Sequence, residues 1–174
     1  LVRYATGGYI CTSPFPYDGI FRRAVLNFKF HNCGAYAELL SHEMVRSIKD
    51  VYRDREFDLV TCVPMHKDTL RKRGYNQAEL LAKECARILG IEYADLLAKT
   101  KKNKTQHSIK AAERAKNVIG VYSPIDKNLI KGKRILIIDD IITTGSTLGE
   151  CARILNKCKC GEICCCTLCT SLLI

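Results

Sequence analysis

The spacing of apolar residues predicts two helices in the first third of the chain. The first helix begins at Tyr17 and is broken near His31 to Gly34, and the second runs from Ala35 to about Tyr52. The apolar positions of these helices are Phe21, Val25 and Phe28, then Leu40, Met44 and Ile48. Residues 1–16 hold two glycines and two prolines, which favours a lead-in or the remnant of an upstream region. We therefore predict that the main domain covers residues 17–174.

A buried strand and a third long helix are predicted next. The run Asp58–Val63 (DLVTCV) has the composition of a strand that Pro64 stops. A polar segment, MHKDTLRKRGYNQ, is predicted to be a long loop rich in cations. The following helix ends at Gly90, a residue suited to a left-handed C-cap. Its apolar stripe consists of Ala78, Leu81, Ala82, Cys85, Ile88 and Leu89.

Strands and helices continue to alternate in the second half of the chain. The segment 99–117 is polar and predicted to be mobile, and Ile119–Tyr122 is predicted to be a short strand. The uninterrupted apolar run Ile135–Ile138 is typical of a parallel strand covered on both faces. A helix is predicted after Gly145, and Gly161–Thr170 is the last predicted strand. The helix stripe consists of Leu148, Cys151, Ala152 and Leu155. This alternation predicts an α/β fold with a mostly parallel sheet between helical layers.

The segment ILIIDDIITTGST, from Ile135 to Thr147, carries the most specific chemistry of the chain. Ligands of open α/β sheets lie at the carboxyl ends of strands, where Asp139 and Asp140 would stand. Ionised carboxylates accept hydrogen bonds, as the vicinal hydroxyls of a sugar require. Backbone N–H groups and a helix N-terminus can surround a phosphate dianion, and glycine allows a close approach. The predicted phosphate-binding residues are Thr143, Thr144, Gly145, Ser146 and Thr147, with Ser146 or Thr147 also able to cap the helix.

Other interpretations of this segment fit less well. A structural strand that simply ends in an exposed turn does not explain two adjacent acids followed directly by TTGST. The Gly-Lys-Ser/Thr of a P-loop and the GxGxxG of a dinucleotide-binding fold do not occur. An apolar strand ending in two aspartates also resembles the first strand of response-regulator receivers. Such a strand would stand near the start of its domain, whereas only 27 residues follow Thr147 here.

Composition is that of an ordinary globular protein with an excess of positive charge. The 174 residues hold 28 Lys and Arg against 18 Asp and Glu. No apolar stretch reaches the ~18 residues of a membrane-spanning helix, and the N-terminal segment lacks the pattern of a signal peptide, so we expect a cytoplasmic protein and no membrane partner. Two groups of basic residues are concentrated in short segments. Basic runs usually form a solvent-exposed face, but these two favour binding of a polyanionic ligand. They are Lys67, Arg71, Lys72 and Arg73, and then Lys99, Lys101, Lys102, Lys104, Lys110, Arg114 and Lys116.

Eleven cysteines raise the alternatives of a zinc site, disulfides or a core of free thiols. Cys158 and Cys160, with Cys166 and Cys169, could supply four zinc ligands, but their spacing is poor for that purpose. In the last predicted strand, Cys164 and Cys166 would face one side of the sheet and Cys165 the other. Because free cysteine packs as a small apolar residue, we predict core packing and no disulfides.

The cationic segment after Val63 has a candidate role opposite the two acids. Fixed cations there could stabilise the negative charge of a phosphate or pyrophosphate group of the same ligand. Arg71 and Arg73 offer forked donors, Lys72 offers a point charge, and Gly74 allows close approach of the backbone. These four residues are the predicted pyrophosphate-binding residues.

Two motifs together resemble known families. The DDIITTGST segment resembles the signature of type I phosphoribosyltransferases, which bind 5-phosphoribosyl 1-pyrophosphate (PRPP). The segment VPMHKDTLRKRGYNQAELLA resembles the competence protein F (ComF) family, which carries such a domain. Further similarities to that family are YDGIFRRAVLNFKF near the start and the residues Gln106, Arg114 and Asn117. The resemblance covers the chain from about Tyr17 to its C-terminus.

The resemblance implies a type I phosphoribosyltransferase-like fold, a mostly parallel sheet flanked by helices with a mobile hood or flexible loop. Asp139 and Asp140 would be the catalytic acids that bind the ribose hydroxyls, and the loop with Gln106, Arg114 and Asn117 would close over the site. Mg²⁺ would arrive with pyrophosphate, held chiefly by substrate oxygens and water. No dedicated metal site is expected. Many relatives carry an N-terminal cysteine-rich zinc module. In this sequence Cys11 is the only cysteine before Tyr17.

Three functions follow as hypotheses. The first is an enzyme of nucleoside metabolism that transfers the phosphoribosyl group of PRPP to an unidentified acceptor. The second is a non-catalytic sensor of PRPP or a nucleotide that works with the DNA-uptake machinery or in regulation. Independently of function, a homodimer is a candidate assembly. The third, single-stranded DNA binding, fits least, since Lys99 to Lys116 contains no aromatic residue for base stacking. His66 and His107 are candidates for proton transfer at the edge of the site.

Overall fold

A mostly parallel β-sheet forms the centre of the protein. The computed structural model describes residues 1–5, 7–30, 35–101 and 118–171. The strands are β1 (Val2–Tyr4), β2 (Ile10–Thr12), β3 (Phe15–Pro16), β4 (Leu59–Cys62), β5 (Glu92–Tyr93), β6 (Leu97–Lys99), β7 (Tyr122–Pro124), β8 (Arg134–Ile142) and β9 (Glu162–Thr170). The helices are α1 (Gly19–Phe30), α2 (Ala35–Val51), α3 (Lys67–Arg73), α4 (Gln77–Leu89), α5 (Lys127–Ile130) and α6 (Ser146–Lys157).

The strand order of the main sheet is β1-β2-β9-β8-β4-β5, and β3 also pairs with β9. All of these pairs are parallel except β1 with β2. From β4 the chain continues outward to β5, whereas from β8 it continues outward to β9 on the other side. The order of the sheet therefore reverses between β4 and β8, which is where open α/β sheets bind their ligands. Strands β6 and β7 form a separate antiparallel pair.

The two faces of the sheet are covered by different sets of apolar residues. Along β8, Ile135 and Ile137 belong to one core, and Leu136 and Ile138 to the other. Helix α6 packs on the first face, while α1, α2 and α4 pack on the second. The predicted α/β class, with a mostly parallel sheet flanked by helices, is thus confirmed. Among the described residues, no helix is both long and apolar enough to cross a membrane.

The cysteines pack as the alternation of β9 predicts. Cys165 lies in the core on the α6 side, whereas Cys164 and Cys166 lie in the core on the opposite side. All cysteines that the structure describes are free thiols, and all of them except Cys160 are buried. Within the described ranges no group of three or more His, Cys, Asp and Glu side chains could hold a metal ion. Core packing is therefore confirmed for the buried cysteines that the structure describes.

Most predicted long elements are confirmed to within a few residues, but three local predictions are wrong. The segment after β4 is not a loop throughout, because Lys67–Arg73 forms α3. Its sequence KDTLRKR has no apolar stripe, and none of its residues is buried, so periodicity could not reveal it. The strand predicted at Ile119–Tyr122 begins only at Tyr122, where β7 pairs with β6. The helix after Gly145 is capped by Gly145 itself and not by the side chain of Ser146 or Thr147.

The N-terminal residues are joined to the same sheet. Strand β2 pairs with β9 through Cys11 and Cys165, and β3 pairs with β9 through Phe15 and Cys169. The predicted lead-in thus contributes short strands to the sheet edge. The domain boundary after residue 16 stays a prediction.

Candidate functional site

The carboxyl ends of β4 and β8 form the floor of a polar cavity. The two strands are parallel and paired in register from Leu59 with Ile135 to Cys62 with Ile138. A further backbone hydrogen bond, from Val63 N to Ile138 O at 2.9 Å, extends the pairing to the end of β4. The cavity above has a volume of about 260 Å³. Its lining combines the ends of both strands, the start of α4 and one residue from each of β6 and β7.

Two half-buried carboxylates stand on the β8 side of this cavity. Asp139 and Asp140 both line it, and β8 continues past them to Ile142 instead of stopping at Ile138. The carboxylate of Asp139 accepts a hydrogen bond from the backbone N–H of Asp140 at 2.8 Å. This bond fixes the Asp139 side chain at the strand end. The two acids thus present acceptor oxygens to one side of the cavity, as binding of sugar hydroxyls requires.

The loop after β8 surrounds a smaller hollow that adjoins the cavity. Gly145 adopts a left-handed backbone conformation, with φ of 74°, and is the N-cap of α6. Thr144 Oγ1 lies 2.9 Å from Ser146 Oγ, and the backbone N–H of Ser146 points toward the same Thr144 oxygen at 3.4 Å. The hollow and the cavity share Asp139 and Thr147 in their linings. The hollow is lined by Asp139, Ile141, Ile142, Thr143, Thr144, Gly145, Ser146, Thr147 and Leu148.

That arrangement suits an anion. Because the first turn of α6 has backbone N–H groups without intrahelical acceptors, its N-terminus carries partial positive charge. All five predicted phosphate-binding residues, Thr143 to Thr147, line the hollow. Their assignment to the 5-phosphate stays a prediction that this geometry favours.

A short helix after β4 contributes one basic side chain to the same cavity. Helix α3 is capped by His66 before its first residue and by Gly74 after its last, and the φ of 89° at Gly74 is left-handed. Only Arg73 of the four predicted pyrophosphate-binding residues lines the cavity. Arg71 and Lys72 are exposed and, like Gly74, are not part of its lining. The assignment of all four to pyrophosphate stays a prediction, and the geometry favours Arg73.

The turn between α3 and α4, Arg73–Gln77, is tied to three parts of the protein. The hydroxyl of Tyr75 donates to the backbone carbonyl of Phe28 at the end of α1. Asn76 Nδ2 donates to Val63 O at 3.1 Å, and Asn76 Oδ1 caps α4 by accepting from Ala78 N at 3.2 Å. Gln77 Oε1 accepts from Arg73 Nη1 at 2.7 Å. The RGYNQ sequence therefore holds a guanidinium at the cavity wall.

His66 is both a helix cap and a wall of the cavity. Its Nδ1 accepts a hydrogen bond from the backbone N–H of Asp68 at 3.2 Å, which caps α3. The same Nδ1 lies 3.7 Å from a carboxylate oxygen of Asp68. The residue is only 9% exposed and lines the cavity. The other ring nitrogen, Nε2, is not used by the cap, whereas His107 lies outside the described residues.

Lys99 and Tyr122 complete the cavity from the β6–β7 pair, and sequence reasoning did not single them out as a pair. The two residues are register partners, and Lys99 Nζ lies 5.5 Å from the centroid of the Tyr122 ring. Burial lowers the pKa of Lys99, while nearby acidic groups, among them Cys151 and Asp139, act in the opposite direction. A partly desolvated ammonium facing Asp139 adds positive charge to the ligand-binding space.

Three functional candidates, Asn76, Gln77 and Tyr122, were missed because no local pattern marks them. They meet at the cavity, together with Lys99 of the predicted basic segment, only after α3, α4 and the β6–β7 pair have assembled. The polar pair NQ at the start of a predicted helix was the available signal, since Asn is a favoured N-cap. The predicted mobile-loop residues Gln106, Arg114 and Asn117 lie outside the described residues.

The donor set around the cavity fits the expectation for Mg²⁺. Carboxylate oxygens are the protein ligands that Mg²⁺ prefers, and Asp139 and Asp140 are the cavity's acidic residues. Among the described residues no third acidic, His or Cys side chain joins them in a metal-binding group. The site therefore suits an ion that is held mainly by ligand oxygens and water. Mg²⁺ binding stays a prediction.

Comparisons with known proteins agree with this geometry. The family model described as phosphoribosyl transferase domain matches residues 76–172. The chain is 31% identical to Competence protein F of Haemophilus influenzae, over 80% of this chain and 63% of that protein. It is 30% identical to Competence protein ComFC of Bacillus subtilis, over 87% of this chain and 60% of that protein. It is also 30% identical to DNA utilization protein YhgH of Escherichia coli, over 58% of this chain and 44% of that protein.

The chain therefore spans between about two fifths and two thirds of the length of these curated relatives. Among solved structures, the fold is similar to that of a glutamine PRPP amidotransferase from B. subtilis, complexed with ADP and GMP. The TM-score is 0.51 and the identity 21%, over 76% of this chain and 26% of that one. This likeness supports the type I phosphoribosyltransferase fold expected from the sequence.

Proposed function

The chain belongs to the phosphoribosyl transferase domain family, and on that premise we propose that it binds PRPP and transfers the phosphoribosyl group with release of pyrophosphate. One observation carries the proposal. A single cavity at the reversal point of the sheet is lined both by two carboxylates, Asp139 and Asp140, and by two cationic side chains, Arg73 and Lys99. PRPP has matching chemistry, with hydroxyl donors on its ribose and anionic oxygens on its pyrophosphate.

Each group has a defined task in this proposal. The Asp139 and Asp140 carboxylates accept hydrogen bonds from the ribose hydroxyls, and the loop Thr143–Thr147 holds the 5-phosphate. As the bond between C1 of the ribose and the pyrophosphate oxygen breaks, both of its electrons leave with pyrophosphate. Arg73 and Lys99 stabilise the charge that builds up there. The acceptor then forms a bond to C1 and loses a proton to solvent.

Mg²⁺, when bound, would neutralise part of the pyrophosphate charge. Asp139 and Asp140 are the residues that would help to hold it, through their oxygens or through water. The negative charge of the two acids also favours the positive charge that develops on the sugar when pyrophosphate departs. Transfer would thus be promoted from both sides of the breaking bond.

Two measurements on the same preparation test the proposal. Isothermal titration calorimetry with PRPP and Mg²⁺ should show saturable binding at one site per chain. A pyrophosphate-release assay against a panel of nucleobases and amines should then show turnover with at least one acceptor class. Absence of PRPP binding by a folded protein would refute the proposal.

A second candidate is a PRPP-binding module without turnover that acts in DNA uptake. The names of the relatives favour it, since Competence protein F and DNA utilization protein refer to DNA use and to no reaction. In that case the DNA-uptake machinery would be the partner and ligand binding would be the signal. Tight PRPP binding together with no pyrophosphate release for any acceptor would favour this module over the enzyme.

A further inference from the structure

Gln77 is a buried amide at the cavity wall whose side-chain nitrogen has no hydrogen-bond partner among the described residues. Its side chain is 1% exposed, and it is the first residue of α4. Oε1 accepts from Arg73 Nη1 at 2.7 Å. Nε2 is shielded from solvent and has no hydrogen-bond partner in the described part of the chain. A buried amide donor without an acceptor costs free energy of folding, so Gln77 is a poor choice for stability alone.

The turn does not depend on the Gln77 bond for its own conformation. Tyr75 ties it to α1, and Asn76 ties it to the end of β4 while capping α4. Gly74 supplies the left-handed conformation that ends α3. The backbone from residue 73 to residue 77 is therefore fixed by other contacts. What the Gln77 bond adds is the orientation of one side chain, the Arg73 guanidinium.

Orientation matters because arginine has a long and flexible stem. Fixing such a side chain costs conformational entropy. When the folded protein already holds the side chain in place, ligand binding no longer has to meet that cost. A planar guanidinium binds phosphate oxygens through a fork, so its angle and its position both count. The bond from Arg73 Nη1 to Gln77 Oε1 holds the guanidinium at the wall of the cavity that Arg73 lines.

The neutral charge of Gln77 is also informative. A glutamate at this position would accept the same bond from Arg73 and would leave no amide donor unsatisfied. It would, however, place a negative charge beside the cation that faces the cavity. An amide oxygen holds the guanidinium without cancelling its charge. The choice of Gln over Glu thus fits a site for an anionic ligand.

From these observations we propose that Gln77 is a positioning residue, which holds Arg73 in place for the pyrophosphate group at the expense of fold stability. The inference rests on the proposed function for the identity of the ligand. It assigns to the Arg73–Gln77 pair the task of recognising the leaving group, separate from the ribose side at Asp139 and Asp140.

The test measures stability and two partial ligands in parallel. For Gln77→Met, which keeps the side-chain volume, thermal melting should be unchanged or higher, because the unsatisfied donor is gone. The dissociation constant for pyrophosphate with Mg²⁺ should rise roughly tenfold, as loss of one charge-assisted contact allows. That for ribose 5-phosphate should stay the same. In an Arg73→Ala background, Gln77→Met should have no further effect on pyrophosphate binding.

Gln77→Glu is the second variant, since it keeps the acceptor for Arg73 and changes only the charge. It should fold, bind ribose 5-phosphate as the wild type does, and bind pyrophosphate more weakly. Wild-type affinity for pyrophosphate in either variant would overturn the inference. A clear loss of stability in Gln77→Met, with both ligands weakened, would also overturn it, since Gln77 would then be structural. A wild-type protein that binds neither PRPP nor pyrophosphate would instead refute the proposed function.

Discussion

The acids and the phosphate loop at the end of β8 belong to one continuous segment, whereas the turn after β4 is tied to distant parts of the chain. Thr144 of the loop contacts Ser146, Asp139 of β8 accepts from the neighbouring residue, and Ile142 O accepts from Ser171 N at 2.9 Å. In the turn, Tyr75 reaches Phe28, 47 positions away, and Asn76 reaches Val63, 13 positions away. The residues of the acceptor side therefore come from one continuous segment, whereas those of the cationic side are brought together by contacts between distant segments.

This difference explains why one side could be predicted more fully than the other. Local contacts leave a compact sequence pattern, because strand, acids, glycine and helix follow one another within a few residues. Contacts at long range leave no such pattern, although they can fix a side chain firmly. We therefore expect substitutions on the two sides of the cavity to weaken the binding of different parts of the ligand.

The largest effect is expected from the double substitution Asp139→Asn and Asp140→Asn. Each change removes a charged acceptor of ribose hydroxyls, which is worth about 1.5–3 kcal/mol, so PRPP affinity should fall roughly a hundredfold or more. Turnover should be abolished. Calorimetry and the pyrophosphate-release assay measure both effects, with thermal melting as the check of folding. As a matched control, Asp126→Asn keeps the N-cap of α5, which is not part of the cavity lining, and should change neither value. Unchanged PRPP consumption by the folded double variant would exclude these acids as the ribose site.

A strong effect on stability is expected from Asn76→Ala on the other side. It removes the N-cap of α4 and the bond to Val63 O, both at a residue only 7% exposed. The free energy of unfolding should fall by about 2 kcal/mol in urea titrations. Asn76→Ser keeps a cap but lacks the amide donor, so its loss should be smaller, and pyrophosphate affinity should still decrease. If Ser restored both properties completely, the long-range anchor would have no role.

A pair of glycine substitutions compares the two sides at equal strain. Gly74 and Gly145 both have left-handed backbones, with φ of 89° and 74°, so alanine at either should cost about 1 kcal/mol. At Gly74 an added Cβ would meet no atom within 4 Å. Gly145→Ala should weaken ribose 5-phosphate binding, because the backbone strain caused by alanine would distort the phosphate loop itself. Gly74→Ala should leave that binding unchanged, and an equal loss in both variants would contradict the separation of the two sides.

The smallest effect on the ligand is expected at the opposite end of the same two strands. Arg134 at the start of β8 binds Asp58 before β4 through two guanidinium contacts, of 2.9 and 3.2 Å, and its backbone N–H donates to the same carboxylate. These bonds hold the pKa of Asp58 well below its ordinary value. Because the folded state prefers the ionised form, this contribution is complete at neutral pH. It is lost as pH falls below about 4, the ordinary pKa of the group, toward the lower folded value.

Asp58→Asn should therefore lower the melting temperature at pH 7 while leaving the affinities for ribose 5-phosphate and pyrophosphate unchanged. The difference in melting temperature between variant and wild type should shrink as pH falls below about 4. Melting curves from pH 7 to pH 2.5 provide the measurement. A difference that stayed constant over this range would show that the ionised Asp58 is not the stabilising species.

The sequence was informative wherever burial and local order coincide. The apolar runs of β4, β8 and β9 and the stripes of α2, α4 and α6 each report directly which face is buried. The positions of Asp139 and Asp140 then follow, because side chains at a strand end lie at the ligand edge of a parallel sheet.

The remaining site residues depend on geometry that no local pattern encodes. RKRG contains three cations, and only the rotation of α3 decides that Arg73 reaches the cavity while Arg71 and Lys72 do not. Lys99 meets Tyr122 only because β6 and β7 pair across 22 intervening residues. The length of α3 itself was hidden because capping by His66 and Gly74, and not an apolar face, defines its ends.

The central claim, that one ligand spans both sides of the cavity, is tested most directly by competition. PRPP would be titrated calorimetrically into the wild-type protein with Mg²⁺, alone and with saturating ribose 5-phosphate or saturating pyrophosphate. We expect each partial ligand to weaken PRPP binding in the wild type. In Gln77→Met, pyrophosphate should compete less effectively with PRPP than in the wild type, while competition by ribose 5-phosphate should be unchanged. Absence of PRPP binding, or PRPP binding that neither partial ligand weakens, would contradict the central claim.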